Sequence, residues 1–371
     1  MKFFHLSDLH LGRRIYEFSL IDDQKYILKE ILRRTDEERP AAVLIAGDIY
    51  DRAVPSAEAV ELFDSFLTEL AGRHIPVLAI AGNHDSPERI AFGAGLMAPS
   101  GVYLSPVYNG RVEPVTLSDT YGEVRFYLLP FIKPAPVRRF YPDAVIESYT
   151  DALRCAVEHM DIDPSTRNVL VTHQFVTGGV RSESEDITVG GTDNVDAAVF
   201  DGFDYVALGH LHGAQSIGRE TLRYSGTPLK YSFSEKNQEK SITVVELGEK
   251  GSVSISTLPL TPQRDMREVR GTYDELTLRG NYAGTNTDDY IHAVLTDEND
   301  IPNAFSRLQS IYPQLMKLDY DNRRTRTSVV IAAEERRRTM TDTELFAEFF
   351  EIQNGQKMTD KQSEYVKDVF A

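Results

Sequence analysis

Over the first hundred residues, short and nearly unbroken apolar runs alternate with longer stretches in which apolar residues recur at helical spacing. Lys2 to Ser7, Ala41 to Ala46 and Pro76 to Ala81 read as buried strands, because consecutive apolar positions suit a strand covered on both faces. Between them, Leu20 to Arg34 carries Ile21, Tyr26, Ile27 and Ile31 on one helical face, and Ala57 to Leu70 reads as a second amphipathic helix. This alternation predicts a layered α/β architecture. After residue 120 the runs shorten to Val124–Pro130, Asn168–His173, Asp204–Leu208, Thr221–Tyr224 and Ser241–Leu247, with a helix between Ile146 and His159.

Near Leu260-Thr261-Pro262 the pattern changes again. Residues 263–320 hold two strand-like runs, Tyr290–Leu295 and Leu315–Tyr320, with a helix starting after Ile301-Pro302, enough for a small α+β domain. Residues 321–340 are rich in charge and read as a linker. In the tail, 341–371, Leu345, Phe346, Phe349, Phe350 and Ile352 share one side of a helix that Asn354-Gly355 ends. Thr359 and Gln362 then form a capping-box pattern ahead of Tyr365, Val366 and Phe370. Helices this short are marginal alone, so they either pack back on their own domain or cover a partner. The expected layout is a main domain over 1–260, a capping domain over 263–320, a linker over 321–340 and a helical tail over 341–371.

Composition adds three limits. The 371 residues, 41% hydrophobic, are those of a soluble protein of more than one domain, and no run approaches the roughly 20 apolar residues of a membrane span. The lone Cys155 excludes an internal disulfide and a cysteine metal cage; with no signal-like segment after Met1, the expected compartment is the cytoplasm. The formal net charge of −17 argues against a chain that wraps nucleic acid unaided, since phosphate binding is driven by Lys and Arg. Bound divalent metals or a basic partner would reverse that local sign.

Five segments carry candidate chemistry: Asp8-Leu9-His10, Gly47-Asp48-Ile49-Tyr50-Asp51, Gly82-Asn83-His84-Asp85, Thr172-His173 and Gly209-His210-Leu211-His212. Each lies just beyond a predicted buried strand, and strand ends of an α/β sheet converge on a common crevice. Asp-x-His and His-x-His put two donors on one side of extended backbone. Glycines before Asp48, Asn83 and His210 allow close approach. Oxygen and imidazole donors without thiolate suit manganese, iron or zinc. Any one of these segments alone is an ordinary turn; five in order at strand ends point to a metal site. His5, inside a strand, reads as a satisfied core residue. Arg13, Arg14 and Arg52 either meet a substrate phosphate or belong to a solvated face, while Arg323, Arg324, Arg326 and Arg336 to Arg338 read either as solvated linker or as a contact with DNA or an acidic partner.

The ordered set resembles the calcineurin-type metallophosphoesterase superfamily. Within it, Gly190-Gly191-Thr192-Asp193-Asn194-Val195 and the segment from Tyr224 to Glu235 are similar to the SbcD family of bacterial nucleases. The resemblance implies a β-sandwich flanked by helices, followed by the capping domain and the C-terminal helix pair. It implies two divalent ions, manganese first with magnesium, iron or zinc as alternatives, that activate water for in-line attack on phosphorus. One ion would be held by Asp8, His10, Asp48 and His212, the other by Asp48, Asn83, His173 and His210. His84 would protonate the leaving oxygen or stabilise the transition state, oriented by Asp85. Asp51 departs from the histidine of eukaryotic and archaeal relatives, which leaves its role open. The implied activity is a DNA nuclease, both 3'-5' double-strand exonuclease and endonuclease on ends and hairpins, in an ATP-dependent repair complex. Implied partners are DNA, an SbcC-type SMC-like ATPase bound through residues 341–371, and a second copy packed through helices near 56–70 and 87–97. A small-substrate metallophosphatase or cyclic-nucleotide phosphodiesterase, and an inactive scaffold of the same fold, are the alternatives.

Overall fold

Five strands buried along nearly their whole length form the centre of the larger of two compact units: Lys2–Leu6 (β1), Ala42–Ala46 (β2), Val77–Ile80 (β3), Arg167–His173 (β4) and Tyr205–Gly209 (β5). The structure is a computed structural model that describes residues 1–185, 193–323 and 325, and in the tail residues 343, 344, 346, 347, 350, 358, 359, 362, 363, 365 and 366. The first six-stranded sheet is ordered Val253–Pro259, Ser241–Leu247, β1, β2, β3, Val102–Leu104. Its members from β1 onward are parallel, and Ser241–Leu247 runs antiparallel beside β1. The second is ordered Gln215–Ile217, Arg219–Tyr224, β5, β4, Gly122–Leu129, Pro114–Asp119, with the four central strands parallel.

Alternate residues of both sheets meet in one core. Phe3, Leu44, Leu78 and Ile80 come from the first, and Phe126, Val169, Val171, Tyr205 and Ala207 from the second. Period-two alternation of this kind is what two sheets packed face to face require. Residues of opposite parity turn outward: Tyr127, Leu129, Leu170 and Leu208 pack in a separate cluster with Ala152, Leu153 and Ala156 of the helix Tyr149–Glu158. Two further helices, Ile21–Glu38 (α1) and Ala57–Gly72 (α2), bury one face each, and Ser56 caps α2 by accepting from the Ala59 N–H. The result is a β-sandwich flanked by helices. No described helix is long and apolar enough to cross a membrane.

The parallel strands matter for function because their C-terminal ends all lie at one edge of the sandwich. Beyond that edge the β1 and β2 loops stay zipped together, with Asp8 N–H bonded to Gly47 O at 3.0 Å and His10 N–H to Asp48 O at 2.9 Å. His5, on β1, bridges the two sheets: Tyr205 Oη lies 2.9 Å from Nδ1, and Nε2 donates to Leu208 O at 3.1 Å. Burial pushes its pKa down to about 3, so it is a neutral core residue.

Three expectations are corrected. The helix expected over 87–97 is two four-residue turns, Pro87–Ile90 and Ala94–Met97, divided by Gly93 at φ 73°. In α2, Phe63, Phe66 and Leu67 are buried within their own unit, so of the stripe expected to meet a second copy only Val60 is exposed; Phe92 and Leu96 are largely exposed. In the smaller unit the sheet has three parallel strands, not two: Met266–Gly271 precedes Tyr290–Leu295 and Leu315–Tyr320, and the helix Ala304–Gln309 covers them. Met266–Gly271 is half-exposed and carries three charged residues among its six, so no apolar run marks it. Most of the linker and tail, including Arg324, Arg326, Arg336 to Arg338, Leu345, Phe349, Ile352 and Phe370, lies outside the described residues, as do Gly190 to Thr192.

Candidate metal centre

Asp8, His10, Asp48 and His210 all sit at positive φ, at 53°, 43°, 47° and 110°. Non-glycine residues adopt such angles rarely and at a cost of about 1–3 kcal/mol each. Four such residues at the ends of β1, β2 and β5 mean that the surrounding sandwich holds the loops in a shape they would not choose. Two glycines contribute closeness rather than unusual angles. A Cβ on Gly209 would stand 1.8 Å from Ala46 O and 2.7 Å from His173 Nδ1, and one on Gly82 would stand 2.1 Å from Asp48 Oδ1. Gly209→Ala should therefore destabilise the chain by about 1–3 kcal/mol or more, as overpacking against fixed backbone does. An unchanged urea midpoint would show that this close approach is dispensable.

These loops bring the seven expected ligands together. His10 Nε2 lies 3.2 Å from His212 Nε2, and ligand atoms of Asp8, His10 and His212 fall within 4.8 Å of one another. On the other side, Asn83 Oδ1 lies 2.9 Å from both His173 Nε2 and His210 Nδ1. Asp48 Oδ2 stands between the halves, 3.7 Å from His10 Nε2, 3.4 Å from His173 Nε2 and 3.8 Å from His84 Nε2. A single carboxylate oxygen in that position is what a bridging ligand needs.

The donor set fits divalent cations. His173 Nδ1 donates to Ala46 O at 2.8 Å, so in its neutral form Nε2 presents a lone pair to the Asn83 and Asp48 oxygens. Lone pairs facing lone pairs call for a positive charge among them. Burial pushes the His173 pKa down, but Asp48 and Asp8 outweigh it and lift the value to about 9. A proton there supplies the charge that a metal ion would supply. Burial and the neighbouring Asp48 raise Asp8 to about 6, whereas Asp48, although buried, is held well below the usual range by His173 and His10. Burial lowers His10 and His210, the latter to about 3, which keeps both imidazoles neutral and able to ligate.

His84 is placed differently from the expectation. Its Nδ1 lies 3.0 Å from the Asp51 carbonyl, and Nε2 faces the cluster from its rim, with 16% of the side chain exposed. The Asp85 carboxylate does not orient this ring. It accepts from the backbone N–H groups of Ile49, Tyr50 and Gly82 at 3.0, 2.9 and 2.9 Å, clamping the β2 and β3 loops together. Adjacency in sequence was misleading: Asp85 is buried against the backbone of the neighbouring loop, whereas the His84 ring stands at the rim. Asp51 also acquires a role: its carbonyl fixes His84, and its carboxylate takes Arg13 Nη1 at 2.7 Å and stands 3.8 Å from His10 Nδ1.

Arg13 is thus a bracket within the protein, bonded to Asp51 and stacked over Tyr231, rather than a residue turned toward a substrate. Arg14 pairs with Glu17 on an exposed hairpin. Arg52 remains 80% exposed, with Nε 3.7 Å from Asp51. Two cations near the other histidines belong to no motif. Arg181 stacks 3.7 Å over Phe175 and pairs with Asp193, and Lys133 lies over Phe131. Phe175 contacts the His210 ring and Phe131 the His173 ring. No motif marks Ser184, Glu185, Glu235 and Lys240 either, which surround His212: Glu185 Oε1 accepts from its backbone N–H at 2.6 Å, and Ser184 Oγ and Glu235 Oε1 lie 2.7 and 3.3 Å from its Nδ1. Burial raises the Glu235 pKa, but His212 and Lys240 overcome it and hold the carboxyl at about 2. Glu235 closes the Tyr224–Glu235 segment, yet nothing in that segment names its partner.

Known proteins resemble this chain along its whole length. The family described as calcineurin-like phosphoesterase matches residues 1–214. The family described as type 5 capsule protein repressor C-terminal domain matches residues 262–354. The SbcD subunit of the SbcCD nuclease from Staphylococcus epidermidis is 32% identical over 99% of this chain and 97% of its own length. The SbcD subunit from Staphylococcus saprophyticus is 32% identical over 100% of this chain and 97% of its own length.

Proposed function

The chain belongs to the calcineurin-like phosphoesterases, in the SbcD family of SbcCD nuclease subunits, and from that membership we propose that it is the DNA-cutting subunit of a two-component repair nuclease. The family makes it a metal-dependent phosphodiesterase. The observation that carries the reading is the convergence of Asp8, His10, Asp48, Asn83, His173, His210 and His212 on one point, with Asp48 Oδ2 central. Two divalent ions, manganese by preference, would be held by Asp8, His10, Asp48 and His212 and by Asp48, Asn83, His173 and His210. When bound, they supply Lewis-acid stabilisation of the phosphate and a nucleophile at neutral pH.

The chain's own groups do the rest. His84 delivers a proton to the leaving oxygen or stabilises charge there, with Nδ1–H donated to the Asp51 carbonyl and Nε2 turned to the reaction. Asp85 braces the loops that carry Asp48 and Asn83. Arg52, Lys133 and Arg181 supply cationic groups near the centre, beside Asp51, Phe131 and Phe175, where a phosphate backbone could meet them. The substrate is duplex DNA, cut as a 3'-5' exonuclease and as an endonuclease at ends and hairpins. The partner is an SbcC-type ATPase gripped by the tail. Phe346, Phe350, Tyr365 and Val366 there line a cavity of about 250 Å³, and Tyr365 is 71% exposed, as a partner-binding surface requires. The exposed Phe92 and Leu96 support a second copy docking near residues 87–97.

The deciding assay compares manganese-dependent nucleotide release from duplex DNA with hydrolysis of a generic phosphate ester, using the chain with its ATPase. DNA cleavage is expected. Rapid ester turnover with inert DNA would favour the phosphatase reading, and no manganese binding at all would favour an inactive scaffold. A pH effect follows as well. Since the metal-free His173 titrates near about 9, manganese must displace its proton at neutral pH. Binding should release about one proton per chain, and affinity should fall up to roughly tenfold for each pH unit below that value. Calorimetry in buffers of different ionisation enthalpy reads the proton count; a count of zero would contradict the charge state assigned to His173.

A further inference from the structure

The imidazoles of the centre are held in different ways. His173 and His84 use main-chain carbonyls, of Ala46 and Asp51. His212 is held by side chains. Ser184 Oγ lies 2.7 Å from its Nδ1 and donates its own hydrogen to Glu235 Oε1 at 2.5 Å, while Glu235 Oε1 also stands 3.3 Å from that Nδ1 directly. A hydroxyl that gives its only hydrogen to a carboxylate can only accept from the ring, so Nδ1 carries the proton and Nε2 is the lone pair. That lone pair points at His10 Nε2, 3.2 Å away, within the cluster that includes Asp8.

Glu235 is fully buried and is itself held in place. Its second oxygen, Oε2, takes Lys240 Nζ at 2.6 Å, and the same ammonium bonds Thr227 Oγ1 at 2.7 Å and the His212 carbonyl at 2.9 Å. The lysine therefore ties the carboxylate and the backbone of His212 into one unit. We propose that Glu235 is a positioning residue of the metal centre, which fixes His212 as the Nδ1–H tautomer and aims Nε2 at the ion shared with Asp8 and His10. A carboxylate behind a ligating imidazole also raises its basicity, and loss of such a group typically weakens metal binding about 10–100-fold. This inference rests on the metal-centre reading above.

The test is calorimetric titration of manganese into the full chain, comparing wild type with Glu235→Gln. A buried Lys240 left without its anion could unfold that variant, so Glu235→Gln combined with Lys240→Met is measured beside it. Removing both charges together avoids the unpaired ion, and the His212 carbonyl still takes the Thr227 N–H at 3.1 Å. The expected result is one of two sites weakened about 10–100-fold, the other at wild-type affinity, with Glu235→Asp recovering part of the loss. Long-range ¹H–¹⁵N spectra of the metal-free chain should show His212 as a single Nδ1–H tautomer in wild type and as a mixture in the folded double variant. Two sites of wild-type affinity in the folded double variant would overturn the positioning role while leaving the metal centre standing. A wild-type chain that binds no manganese would instead overturn the centre and this role with it.

Discussion

Asp48→Asn is expected to reduce DNA cleavage by at least about three orders of magnitude and to cost the chain one or both of its metal ions. The reason is position. Asp48 Oδ2 is the atom within 3.4–3.8 Å of His10, His84 and His173 alike, so both halves of the centre depend on its charge. An amide in its place keeps the shape and can still accept the His84 backbone N–H that Asp48 Oδ1 now takes at 2.9 Å. What it removes is the negative charge that two bound cations would share, and several kcal/mol of lost transition-state stabilisation corresponds to that fall in rate. Elemental analysis of the purified variant and a nuclease assay decide the matter together, with near-ultraviolet circular dichroism confirming a native fold. Full metal content and full activity would show that Asp48 does not bridge.

His84→Ala is the complementary experiment, since it should separate chemistry from binding. The ring stands at the rim of the cluster with its Nδ1 on the Asp51 carbonyl, whereas Asn83, His173 and His210 hold one another from the other side. Both ions should therefore remain at wild-type affinity while turnover falls about 10²–10⁴-fold, the usual contribution of a positioned acid–base group. Cleavage at the wild-type rate would remove His84 from the mechanism. Asp85→Ala should behave otherwise: the carboxylate holds three backbone N–H groups in a buried place, so its loss acts first on stability.

Much of this was legible in the residues, for identifiable reasons. Buried parallel strands are continuous apolar runs, so β1, β2, β3, β4 and β5 stand out, and a ligand placed directly after such a run is at the sheet edge whatever the rest of the fold does. Strands at the sheet edges were harder to see. Pro114–Asp119 and Val253–Pro259 are half-exposed and carry mixed residues, so no apolar run marks them. The helix expected over 87–97 failed at Gly93, where a positive φ breaks a stretch whose periodicity looked continuous.

Ligand types, their order and their attachment to strand ends depend on neighbours along the chain, and so they could be read from the residues directly. What each ligand leans on is settled only when the chain is folded. Asp85 is adjacent to His84 yet serves the backbone of Ile49, Tyr50 and Gly82, and the ring is held by Asp51, 33 positions away. Arg13 could have faced a substrate and is bonded to Asp51 instead, while Glu235 lies 23 positions beyond His212 and stands 3.3 Å from its Nδ1, with Ser184 between them. Hydrogen bonds of this kind reach about 3 Å in space and have no fixed separation along the chain, so no local pattern encodes them.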